Sequence, residues 1–162
     1  MTLHISVFEG GRALSDFRIQ QLLPRLAAID PRIVGLQARH LHLVASEQSP
    51  EPAQRERLAA LLTYGEPASA PAAGVTLIVT PRLGTVSPWA SKATDIAHNC
   101  GFVVRRIERI TEYTLVLKSG LLKATELAAS ARDEAAALLH DRMTESVLAS
   151  RDQAQALFTE LA

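Results

Sequence analysis

The segment GTVSPWASKATDIAHNCG, residues 84–101, gathers hydroxyls, a lysine, an aspartate, a histidine, an asparagine and the chain's only cysteine into one short run. Such groups could serve nucleophilic, acid–base or anion-binding chemistry, and what they can do depends on the element that carries them. Pro81, Gly84 and Pro88 keep PRLGTVSP irregular, and the spacing beyond it predicts a helix with Ser91 as N-cap and Gly101 as the left-handed C′ residue. Ala93, Ile96, Ala97 and Cys100 then share the buried face. Cys100 lies at the helix C-terminus, whose partial negative charge disfavours a thiolate, so it reads as a small buried hydrophobe. His98 falls on a different face and cannot act as its base. The same wheel places Lys92, Asp95 and Asn99 on one exposed face, with Thr94 and His98 an i, i+4 pair beside it. That array fits a small anion held with Ser91 at the helix N-terminus, a neighbouring protein surface, or a solvated polar face. Trp89, at the loop-to-helix junction, is either a contact residue or a cover for the end of the core.

Other chemistry is poorly supplied. The stretch from Gly84 to Lys92 lacks the spacing of a phosphate-cradling P-loop, and no Gly-x-Gly-x-x-Gly turn is present. His40 and His42 share a strand face, but no third ligand stands in a metal-binding pattern with them, and they read as sheet histidines. No metal site is expected.

Seventeen basic residues balance seventeen acidic ones, which removes the bulk attraction to nucleic acid or an anionic membrane. With 48% hydrophobic and 21% charged residues in 162, the composition is that of one folded domain. A single cysteine cannot form an internal disulfide, the N-terminus MTLHISVFEGG has no targeting character, and the expected compartment is the cytoplasm. No apolar run approaches the ~20 residues of a membrane-spanning helix.

The elements that must position these groups follow from periodicity. LHISVF predicts a short strand ending near Phe8. ALSDFRIQQLLPRLAAID predicts a helix with Ser15 as N-cap, apolar at Leu14, Phe17, Leu22, Leu26 and Ile29. Pro24 predicts a kink or a fresh turn inside it. RIVGLQARHLHLVAS predicts a long strand with Leu36, Ala38, His40, His42 and Val44 on one face, and EPAQRERLAALLTYG a helix closing on Gly65. After the loop EPASAPAAG the order repeats: strand VTLIVTP, helix ASKATDIAHNCG, strand VVRRIERITEYTLVL, helix ARDEAAALLHDRMTESV. The tail from Thr144 keeps a helical period at Val147, Leu148, Ala154, Leu157, Phe158 and Leu161 and ends at Ala162 without a terminator, a point at which the native chain need not stop.

The string VTPRLGTVSPWASKATDIAHNCG, followed by VRRIERITEYTL and LHDRMTESV, resembles the N-terminal, PurS-like domain of the large single-chain phosphoribosylformylglycinamidine synthase. The stretches ALSDFRIQQLL, HLHLV and LLTYG fit in the same order. The resemblance implies an α+β fold: a PurS-like pseudo-dimer of two β-α-β-α halves, with an antiparallel sheet and helices packed on one side. The halves would span about 3–65 and 75–143 of a domain 1–143, and 144–162 would be a helical extension. It implies further that the parent enzyme, a purine-biosynthetic ligase using ATP and Mg²⁺, carries synthetase and glutaminase domains, which this domain would bridge. The domain itself would be inactive and without a cofactor, with no nucleic-acid or membrane partner, and self-associating if its docking surface lies open. Thr85, Ser87, Trp89, Ser91, Lys92, Thr94, Asp95, His98 and Asn99 become candidates for an interdomain surface bordering the substrate site, none of them catalytic. Leu83 and Ile110 stand where the family commonly has proline and glycine, which implies a less rigid loop and a less sharply bent strand. The segment between Lys118 and Ser130 is longer than usual.

Overall fold

The computed structural model describes residues 3–68, 74–83, 85–118 and 127–159. Residues 69–73, Gly84, most of the segment after Lys118 and the residues at both ends of the chain lie outside the described residues.

Strand β1 (His4–Arg12), helix α1 (Asp16–Ile29), strand β2 (Ile33–Ser46) and helix α2 (Pro52–Leu61) are followed by β3 (Val75–Pro81), α3 (Pro88–Asn99), β4 (Arg106–Leu117) and α4 (Ala129–Leu139). The β-α-β-α order therefore occurs twice, as the sequence predicts. The strands form one five-stranded sheet in the order β1-β2-β4-β3-β5, where β5 is Glu145–Leu148. Every neighbouring pair is antiparallel. The long strands β2 and β4 lie side by side at the centre, from Ile33↔Leu117 to Ala45↔Arg106. Joining the halves through their longest strands gives each half's inner strand a partner on both edges, leaving only short or bulged strands outside.

Strand alternation then divides the core. On one face Leu36, Ala38, Leu77, Val79, Tyr113 and Leu115 meet Leu22 and Leu26 of α1 and Ala135 and Leu139 of α4. Further along the same face, Phe8, Val44 and Ile107 meet Leu58 and Leu62 around α2 and Ala97 of α3. The opposite face presents Leu41, Leu43, Ala45, Ile78 and Ile110, covered by Ala154, Leu157 and Phe158. The fold is α+β, with helices α1–α4 packed against an antiparallel sheet, as expected.

Several local expectations hold. Ser15 caps α1 through Oγ, which accepts from the Arg18 N–H at 3.2 Å. Gly101 takes a positive φ, +87°, and follows α3 as its C′ residue. Gly65 also takes a positive φ, +73°, but α2 stops at Leu61 with Leu62 as its C-cap, so Gly65 is not the C′ residue expected.

Others are corrected. Strand β1 does not end at Phe8 but runs through Gly10 and Gly11 to Arg12, with a register irregularity after Glu9. Pro24 does not divide α1 into two elements, because Leu22 and Leu26, buried on either side of it, hold one helix against the sheet. Phe17, expected on the buried face of α1, is exposed. The last helix stops at Leu139, and Glu145–Leu148, read as helix from the sequence, is a strand paired with β3 from Ile78↔Leu148 to Pro81↔Glu145. The β-branched and apolar Val147–Leu148 pair serves either period, and the unpaired edge of β3 decides for the strand. Beyond β5 the tail forms a 3-10 turn (Asp152–Gln155) and a one-turn helix α5 (Ala156–Thr159).

Candidate functional site

Helix α3 begins earlier than its composition suggests. Ser87, not Ser91, is the N-cap: its Oγ accepts from the Ala90 N–H at 3.0 Å, and Pro88 occupies the first helical position. Ser91 therefore sits a turn inside the helix, and the expected anion site at a Ser91 N-terminus does not exist. The helix is also rotated from the predicted wheel. Ala90 and Ala97 are buried, whereas Ile96 and Cys100 are exposed, so Cys100 is not the inward hydrophobe expected. Arg57 donates to the Cys100 carbonyl at 3.3 Å.

The candidate residues split into two groups. Ser87, Trp89 and Thr94 turn into their own fold, and His98, though exposed, is held to a backbone carbonyl. Ser87 Oγ donates to Glu108 Oε1 at 2.8 Å while capping the helix. Thr94 Oγ1 donates to the Ala90 carbonyl at 2.7 Å and accepts from the Ile107 N–H at 3.0 Å, tying α3 to the open edge of β4. His98 Nε2 donates to the Val104 carbonyl at 2.6 Å. Trp89 is half-buried, its ring 5.6 Å from that of His42. Ser91, Lys92, Asp95 and Asn99 form the exposed side of the helix. Thr85 is exposed in the preceding loop, where its hydroxyl donates to the Arg82 carbonyl.

Behind Ser87 lies a buried ion pair that sequence reasoning missed. Arg106 NH2 reaches Glu108 Oε2 at 2.6 Å, and these side chains are 6% and 1% exposed. Arg106 also donates to the carbonyls of Thr85 and Leu157, each at 3.0 Å, and lies over the Phe158 ring. Glu108 Oε1 accepts both the Ser87 hydroxyl and the Arg109 N–H. The pair thus joins the loop before α3, the α3 cap and the C-terminal segment.

A second polar group lies on the face of the sheet that the helices pack against, between β2, β4 and the start of α3. His40 and His42 do share this face, as predicted, opposite Thr111 and Arg109 of β4. His42 is completely buried, and a Cβ on Gly10 would stand 2.6 Å from its ring, so the β1 glycine makes room for it. Arg109 donates to the Tyr64 hydroxyl at 3.1 Å, and that hydroxyl meets His42 Nε2 at 2.9 Å. The Arg109 guanidinium lies over the Trp89 ring at 4.7 Å. The Nδ1 atoms of His40 and His42 are buried without a hydrogen-bond partner. Burial lowers both imidazoles to a pKa of about 4, with Arg109 adding repulsion to each and His40 to His42, so both are neutral near pH 7. Two histidines are too few for a metal centre, and among the described residues no third His, Cys, Asp or Glu joins them.

Arg109 and Tyr64 drew no attention in the sequence because their significance is cross-strand. Only the register that sets Arg109 opposite His42 unites them.

Residues 39–158 match the family described as formylglycinamide ribonucleotide amidotransferase N-terminal. The chain belongs to that family. The match runs from the middle of β2 into α5, and so includes β3, α3, β4, α4 and β5. This family makes the chain part of a purine-biosynthetic amidotransferase. Among the described residues no helix is long and apolar enough to cross a membrane.

Proposed function

We propose that the chain is the scaffold domain of a phosphoribosylformylglycinamidine synthase, an ATP- and Mg²⁺-dependent ligase of the cytoplasm, and that it has no turnover by itself. In this reading it bridges the synthetase and glutaminase domains of that enzyme. The observation that carries the reading is the family match together with the division within α3. Ser87, Thr94 and His98 spend their hydrogen bonds on fixing the helix, while Ser91, Lys92, Asp95 and Asn99 are left outward on a rigid support. A helix held so firmly, with one polar face open, suits a docking surface better than a reaction centre, because nothing on that face pairs a nucleophile with a base.

The chain incubated with formylglycinamide ribonucleotide, glutamine, ATP and Mg²⁺ is expected to form no amidine product and release no ammonia. Turnover above a protein-free blank ends the reading. Supplying the synthetase and glutaminase portions separately tests the docking role: the wild-type chain is expected to raise their coupled activity. A Lys92→Glu, Asp95→Lys variant, folded by circular dichroism, is expected to do so poorly. Equal stimulation by both would remove the α3 face from the interface.

A further inference from the structure

Between the sheet and the start of α3 lies a cleft of about 560 Å³, lined by His40, Arg82, Thr85, Trp89, Arg109 and Thr111 among others. That volume lies within the roughly 300–1,000 Å³ typical of small-molecule sites. Its chemistry is one-sided. Arg12, Arg105, Arg106 and Arg151 each pair with a carboxylate, but Arg109 forms no ion pair among the described residues. It is half-buried, oriented by the Trp89 face and by Tyr64, and only one of its terminal nitrogens is engaged by that hydroxyl. A partly desolvated guanidinium with donors to spare favours a carboxylate or phosphate, whose oxygens match its planar fork. Arg82 stands at the rim with the hydroxyls of Thr85 and Thr111, and Val86, Trp89 and Met143 supply apolar wall. One acidic residue, Glu145, also lines the cleft, but its Oε1 already accepts the Asp141 N–H at 2.9 Å.

We propose that this cleft binds a small organic oxyanion, a carboxylate or phosphate on a compact frame, with Arg109 as its principal anchor and Arg82 as a second donor at the rim. The site is separate from the exposed face of α3 and does not depend on whether that face docks another domain.

The chain provides its own reporter, because Trp89 is the only tryptophan and forms the wall under Arg109. The 162-residue chain is titrated with glycerol 3-phosphate and with succinate at constant ionic strength, with sodium chloride as the control, while tryptophan fluorescence and melting temperature are followed. A saturable change and a rising melting temperature are expected with at least one of them. Arg109→Gln is expected to weaken it about tenfold or more, Arg82→Gln less, and Arg25→Gln on the outside of α1 not at all. A response to glycerol 3-phosphate alone assigns a phosphate site, to succinate alone a carboxylate site, and to both a general oxyanion site. No response beyond that of chloride, or one that a folded Arg109→Gln variant retains in full, overturns the proposal. Should Arg109→Gln fail to fold, Arg82→Gln decides, and an unchanged titration there overturns it equally.

Discussion

At the residue scale, the two buried polar groups behave oppositely when disturbed. Arg106 and Glu108 are charged and paired with each other, and removing either partner leaves an uncompensated charge in the core. Glu108→Ala is expected to destabilise the fold by ~3–5 kcal/mol, read as a lowered urea midpoint, while replacing both residues by apolar ones costs much less. His42 is instead buried neutral. Its folded pKa, about 4, lies below the ordinary value of 6.5, so the unfolded chain binds protons more readily in that interval. The stability that comes from keeping it neutral is complete above pH 6.5 and is lost as pH falls towards 4, at up to ~1.4 kcal/mol per pH unit. His40, half-buried and lowered to about 4 as well, adds to the same slope. Unfolding measured across this window is expected to show the slope, and His42→Gln to flatten it.

At the element scale, helix α3 shows how far a sequence can be read and where reading stops. That a helix occupies this stretch, ends at Gly101 and exposes Lys92, Asp95 and Asn99 is legible from spacing alone. Its start is not, since Ser87 and Ser91 are equally good caps by residue type. Ser87 prevails because Glu108 of the neighbouring strand holds its hydroxyl, an interaction between residues far apart in the chain. Ser87→Ala is accordingly expected to cost more than Ser15→Ala, which removes only a cap at ~1 kcal/mol. Paired thermal melts check the difference, and equal losses would mean that the Glu108 contact contributes nothing. The misread strand β5 has a similar cause, because Glu145–Leu148 has no strong period of its own and follows the free edge of β3.

At the scale of the whole molecule, the C-terminal segment completes the second face of the sheet. Leu157 is almost fully buried among Leu41, Leu43, Ile78 and Ile110, and its carbonyl accepts from Arg106. Leu157→Ala is expected to cost ~2–5 kcal/mol, and a chain ending at Ala149 to expose an apolar sheet face. Dye binding and concentration-dependent sedimentation would register that face; a truncated chain as monomeric and cooperative as the full one would show that the segment contributes little. The sequence by itself determined the doubled order of strands and helices, the glycine that ends α3 and the likeness to an amidotransferase N-terminal domain, because each is written in local spacing or in an unbroken run of residues. Tertiary structure alone decided which strands meet, that Arg109 faces His42 beneath Trp89, and that Arg106 and Glu108 lock the tail to the α3 cap. Those arrangements depend on strand register and on desolvation, and both come into being only when distant parts of the chain are brought together.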